Sequence, residues 1–119
     1  MVLTMTEEEI LQLEPAPCGK LDVLLAEKLG IEVDAGLWRP STDLNCAMMV
    51  LMEVAGKKHW HWEIISQDGY DSGPLVYVTI WHGKKSWEAG SRYGDMKDSV
   101  SLAICRAVLL VLFAVVESK

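Results

Sequence analysis

His59, His61 and His82 are the only imidazoles in the chain, and the first two lie in a segment that alternates polar and apolar side chains. Three imidazoles converging at the open end of a hairpin would suit zinc with a free fourth position, the arrangement that activates a bound water for hydrolysis. Whether they converge depends on register. If Trp60 stands opposite Trp81, and Ile64 opposite Tyr77, His59 faces His82 and His61 follows on the same side; a slip of one residue sends His82 to the other face. Glu63 shares the side of His59, His61 and Ile65, where it is either half-solvated or held by a cation. Acid–base work there would need a second carboxylate within reach. Asp68 and Asp71 flank Gly69, but these residue types serve the backbone of a hairpin loop. The chain has no phosphate-binding glycine loop, no Cys-x-x-Cys pair and no G-x-S-x-G elbow. The sequence thus assigns no catalytic, cofactor-binding or metal-binding residue. The reading is of a non-enzymatic domain, with a metal-dependent hydrolase on His59, His61 and His82 as one alternative.

A second alternative rests on residues 84–97, where Lys84, Lys85, Arg92 and Lys97 interleave with Trp87 and Tyr93. Cations beside aromatic rings are the composition of single-strand nucleic-acid surfaces. The charge balance opposes it. Net charge is −6, and residues 1–34 hold all of that excess, with eight acids (Glu7, Glu8, Glu9, Glu14, Asp22, Glu27, Glu32, Asp34) against Lys20 and Lys28. Phosphate backbones need clustered Lys and Arg, so nucleic acid is not the expected partner.

These residues must be positioned by one small domain, 1–119, of which 1–17 form a short acidic helix and a Pro-containing lead-in. Cys18, Cys46 and Cys105 are odd in number and widely spaced, which reads as reduced packing thiols in a cytoplasm. Glu7, Glu8 and Glu9 stand where a secretory leader would carry positive charge, so the host cytoplasm is the expected location.

The elements are set by periodicity. Thr6 and Glu9 have capping-box spacing, which predicts a helix over 7–13 that Pro15 and Pro17 terminate. Leu21, Leu24, Leu25 and Leu29 form one apolar stripe over 20–29, with Asp22 off it and Gly30 as the stop. Residues 31–40 are a connection whose Trp38 lids the core. Ser41, Thr42 and Asp43 supply capping oxygens for a helix over 42–55, ended by Gly56. Its Met48, Met49 and Met52 read as core fillers, although such a stripe can also make an adaptable binding surface. Residues 59–67 and 74–82 read as strands of an antiparallel hairpin, with a possible third strand over 86–93. The fold class is therefore α+β, a short antiparallel sheet layered with helices.

Residues 99–117 form a final helix that is almost wholly apolar, with Ser99 as its cap and Arg106 as the one charge within it. Its uninterrupted apolar run is too short for a membrane span, so it is read as the central buried helix. Arg106 cannot shed its charge. It must meet Asp43, Glu63 or backbone carbonyls at a helix C-terminus, or lay its stem on apolar surface with its head in water. So apolar a helix, with five tryptophans, also suggests a homo-oligomer, a dimer above all, through Val108, Leu109, Leu112 and Val115 or the aromatic side of the hairpin.

The segments KLDVLLAEKLG (20–30), PSTD (40–43) and LAICRAVLLVL (102–112), in this order around an aromatic hairpin, resemble the phage ABA sandwich domain family. The resemblance implies a small phage or prophage domain layering helices against a short antiparallel sheet. It implies no catalytic residue and no ligand. The expected role is accordingly that of an accessory or interaction domain with a phage or host protein partner and no membrane association.

Overall fold

The computed structural model describes residues 6–13, 19–30, 38–56, 60–67, 75–91 and 96–117. The fold is α+β: the described residues form four helices and a three-stranded antiparallel sheet in the order β1-β2-β3. Helix α1 (Glu7–Leu11) starts at the expected capping box. The Glu9 N–H donates to the Thr6 hydroxyl at 3.2 Å, and the Glu9 carboxylate accepts from the Thr6 N–H at 3.1 Å. Those bonds from Thr6, its backbone N–H first, hold the Glu9 carboxyl below its ordinary value. The helix stops two residues short of the predicted end, and Leu13 closes it with an N–H bond to the Ile10 carbonyl.

Helix α2 (Lys20–Leu29) keeps the predicted limits, with Gly30 at φ 69° in the left-handed cap that glycine adopts without penalty. Helix α3 (Leu44–Leu51) is capped by Asp43, whose Oδ1 accepts from the Asn45 and Cys46 N–H groups at 3.0 and 3.3 Å. It is shorter than the periodicity predicts because its last turn widens into a π-helical turn, Met52–Gly56. From there the Trp60 N–H bonds the Ala55 carbonyl at 2.9 Å and leads the chain into the sheet.

Strands β1 (His61–Gln67), β2 (Leu75–His82) and β3 (Lys85–Ser91) confirm both the hairpin and the third strand. The register corrects the expectation by one residue: His61 lies opposite Trp81, Trp62 opposite Ile80 and Ile65 opposite Tyr77. The physical reason lies in β2. Val76, Val78 and Ile80 have no polar atoms and turn inward, each at 0% exposure. Tyr77, Thr79 and Trp81 all carry polar atoms and turn outward, where the Thr79 hydroxyl donates to Glu88 Oε2 at 3.2 Å. The expected register would have put those polar atoms into the core.

Helix α4 (Met96–Glu117) begins three residues before Ser99, which is buried inside the helix and does not cap it. The helix packs on β2 and β3 and also on α3, α2 and α1. Ala103, Ile104, Cys105, Ala107, Val108, Leu109 and Val111 are all at 0% exposure, which is why a helix without a polar face is tolerated. Lys28 of α2 sets its ammonium 4.1 Å from the centre of the Phe113 ring, a cation over an aromatic face that ties α2 to the end of α4. Among the described residues, no helix is long and apolar enough to cross a membrane.

Candidate functional site

The histidines do not assemble as the first register would have them. His61 is on the outer face of the sheet, its ring centre 4.8 Å from that of Trp81, and its Nε2 lies 3.2 Å from Glu63 Oε1. His82 is on the opposite face and stacks on Trp60, with ring centres 4.5 Å apart. His59 lies outside the described residues, as do Asp68 and Asp71. No group of three or more metal-ligating side chains occurs among the described residues. Glu63 and Glu88 flank Thr79 in one row across the sheet. Glu63 is engaged with His61, and Glu88 accepts the Thr79 hydroxyl.

The basic and aromatic residues of 84–97 are dispersed. Lys84 lies in the β2–β3 turn and Lys85 beside it, both exposed, while Trp87 is half-buried and packs against the core. Lys97 borders a polar hollow of about 350 Å³ together with Thr42, Asp43, Asn45 and Asp98, so its charge stands among two acids. Arg92 and Tyr93 lie outside the described residues.

Arg106 takes the backbone alternative. Its Nε and one terminal nitrogen donate to the Leu13 carbonyl at 3.1 and 2.8 Å, and its other terminal nitrogen donates to the Gly90 carbonyl at 3.2 Å. Leu13 follows the last turn of α1, where carbonyls have no helical partner, and the guanidinium fork holds that carbonyl together with one from β3. The carboxylates proposed from sequence are elsewhere: Asp43 caps α3, and Glu63 faces outward beside His61. Gly90 also makes room on the outer face, since a Cβ there would stand 2.9 Å from the Tyr77 ring.

Two buried features escaped the sequence reading or were only half read. Asp22, expected off the apolar stripe, is at 0% exposure, and its Oδ1 accepts from the Ser41 N–H at 2.8 Å. Its own carbonyl accepts from the Trp38 indole at 2.7 Å, so one residue of α2 fastens the turn that leads into α3. A downstream turn rich in donors was the one available signal, and it does not name its acceptor. Cys105 is a packing thiol as expected; burial first, then the neighbouring Asp22 and Cys46, push it well above the ordinary value of 9.0. Burial likewise raises Cys46, which is only partly covered. Cys18 lies outside the described residues. Because the Cys105 thiol is raised in the folded state, its contribution to stability is whole below the ordinary thiol value of 9.0 and is lost as pH rises above it through the higher folded value. In native protein at pH 8, iodoacetamide will modify Cys105 only after denaturant is added, whereas Cys46 will react slowly. Mass mapping of the alkylated peptides checks this, and rapid native labelling of Cys105 would contradict its burial.

Among the described residues, the two most exposed large apolar side chains lie at the end of α3 and in the turn that follows it. Met49 and Met52 are 68% and 49% exposed, while the third methionine of the stripe, Met48, packs against the core. Met49, Met52, Glu53 and Gly56 border a hollow of about 420 Å³. A smaller recess of about 80 Å³ adjoins it, sharing Met49 and Glu53 and running in toward Leu29 and Trp38. The π-helical turn is what presents Met52 and Glu53 at this rim. The groove offers unbranched, polarizable methionine side chains and one carboxylate, Glu53. Comparison of the chain with protein-family models, curated proteins and solved structures finds no match.

Proposed function

We propose that the chain is a small non-enzymatic accessory domain of a phage or prophage, working in the host cytoplasm by docking an apolar segment of a phage or host protein. The observation that carries this reading is the methionine groove: two exposed thioethers beside adjoining hollows, in a protein whose final helix buries its apolar residues from Leu102 to Cys105 and from Ala107 to Val111. Met side chains re-pack around differently shaped partners at little cost, so such a surface suits recognition. The phage assignment is supported by the likeness of residues 20–30, 40–43 and 102–112 to the ABA sandwich domain family.

The test uses a photoreactive benzophenone side chain at position 49, in cells carrying the parent phage or prophage. The expected result is a discrete crosslink to one protein, lost in Met52→Glu. Thermal stability should change by no more than about 0.5 kcal/mol, because both side chains are largely in solvent. A crosslink that persists in Met52→Glu, or none at all, would overturn the groove as the docking site.

A further inference from the structure

We propose that Met49 and Met52 form an oxidation site, at which hydrogen peroxide converts their thioethers to sulfoxides and thereby closes the methionine groove to an apolar partner. The inference rests on the docking reading of that groove and adds its regulation. Three observations carry it.

First, the methionine stripe is divided by exposure. Met49 and Met52 stand 68% and 49% exposed at the rim of one hollow, whereas Met48, one residue away, packs against the core. Peroxide must reach the sulfur to oxidise it, so the two rim residues react and their neighbour is shielded.

Second, the described cysteines compete poorly for the oxidant. Cys105 is buried and Cys46 partly covered, and burial holds each thiol above its ordinary value, so little thiolate is present to take up peroxide.

Third, the groove is apolar in a way that an added oxygen reverses. Its walls are Leu29, Trp38, Met49, Val50 and Met52, with Glu53 as the carboxylate, and the Trp38 indole already donates to the Asp22 carbonyl. A sulfoxide oxygen is a strong acceptor. An apolar segment seated there would bury it without a donor, which costs about tenfold in affinity for each sulfoxide. Met52 also lies directly on the π-helical turn, since a Cβ on Gly56 would stand 2.8 Å from its Cε and 3.3 Å from its Sδ. Oxygen joins that sulfur on the side away from Gly56, so Met52 reacts after Met49.

The step is balanced. A sulfur lone pair attacks one peroxide oxygen, the S–O bond forms as the O–O bond breaks, and the departing hydroxide takes the proton of the transferred oxygen and leaves as water. Sulfur is oxidised by two electrons and peroxide is reduced. A thiol-dependent sulfoxide reductase reverses the change, oxidising two thiols to a disulfide and releasing the oxygen as water.

The test treats the purified full chain with hydrogen peroxide and maps the product by peptide mass spectrometry. Docking is then read from a benzophenone side chain at position 53, which leaves both methionines in place. Met49 and Met52 should each gain one oxygen, with Met48 about fivefold slower. In lysate of cells carrying the phage or prophage, the discrete crosslink should fall about tenfold after oxidation, return on treatment with a sulfoxide reductase, and survive peroxide in Met49→Leu/Met52→Leu. Circular dichroism should show the oxidised chain folded, because both side chains are largely in solvent. Sulfoxides at 49 and 52 with an unchanged crosslink overturn the switch and leave the groove reading standing. Equal oxidation of Met48 overturns it as well, as does a crosslink that peroxide abolishes in the leucine variant or only by unfolding the chain. No crosslink from the untreated chain, with both sulfoxides still formed, defeats the groove reading and the switch together.

Discussion

Replacing Arg106 by alanine is expected to lower folding stability by about 2 to 4 kcal/mol, and replacing it by lysine by roughly half as much. The guanidinium joins the end of α1, the middle of α4 and strand β3, through the Leu13 and Gly90 carbonyls. Hydrogen bonds to a charged donor are worth more than neutral ones, and alanine leaves two carbonyls facing the space the side chain occupied. The loss is bounded because Arg106 is half-buried, so water can reach part of the gap, and some of the effect will come from the lost packing of its stem. Lysine keeps the charge but presents one ammonium in place of a planar fork, and it cannot span both carbonyls with the same geometry. Urea unfolding with an unchanged slope measures the difference. A Arg106→Ala midpoint equal to wild type would show that the head group is carried by solvent and that the carbonyl bonds add nothing. Because Leu13 lies just beyond α1, amide exchange in residues 7–12 should quicken in the alanine variant before exchange elsewhere does.

Asp22→Ala is expected to cost about 3 kcal/mol, with Asp22→Asn falling between it and wild type. The carboxylate is fully buried, and its bond from the Ser41 N–H fixes the turn before the Asp43 cap. Alanine leaves a buried N–H without that acceptor and opens a small cavity, two penalties that act together. Asparagine retains an acceptor oxygen but turns the other oxygen into a donor, so part of the local bonding must rearrange. The indole of Trp38 bonds the Asp22 carbonyl, so near-ultraviolet circular dichroism should report loosening of the turn separately from global stability. Unchanged stability in Asp22→Ala would mean that the turn is held by the surrounding packing alone.

The sequence by itself determined the elements and their kinds. The capping box at Thr6 and Glu9, the leucine stripe closed by Gly30, the Asp43 cap and the change to period two all act within a few residues, and each appears in the structure where local chemistry placed it. The burial of α4 over Ala107–Val111 was equally legible, because a run of ten consecutive apolar residues leaves no polar face for water. What tertiary structure alone decided is which sides meet. The one-residue register of the hairpin followed from excluding the hydroxyls of Tyr77 and Thr79 from the core, and it separated His61 from His82 in the same move. Spacing could not choose that register, since the loop between the strands is too long to dictate it. Nor could it identify the partner of Arg106, because a backbone carbonyl has no letter in the sequence and Leu13 lies ninety-three positions away. The burial of Asp22 and the exposure of Met49 and Met52 were hidden for the same reason. Periodicity tells which residues share a face of one helix, but only the packing of helices on one another decides whether that face meets protein or water.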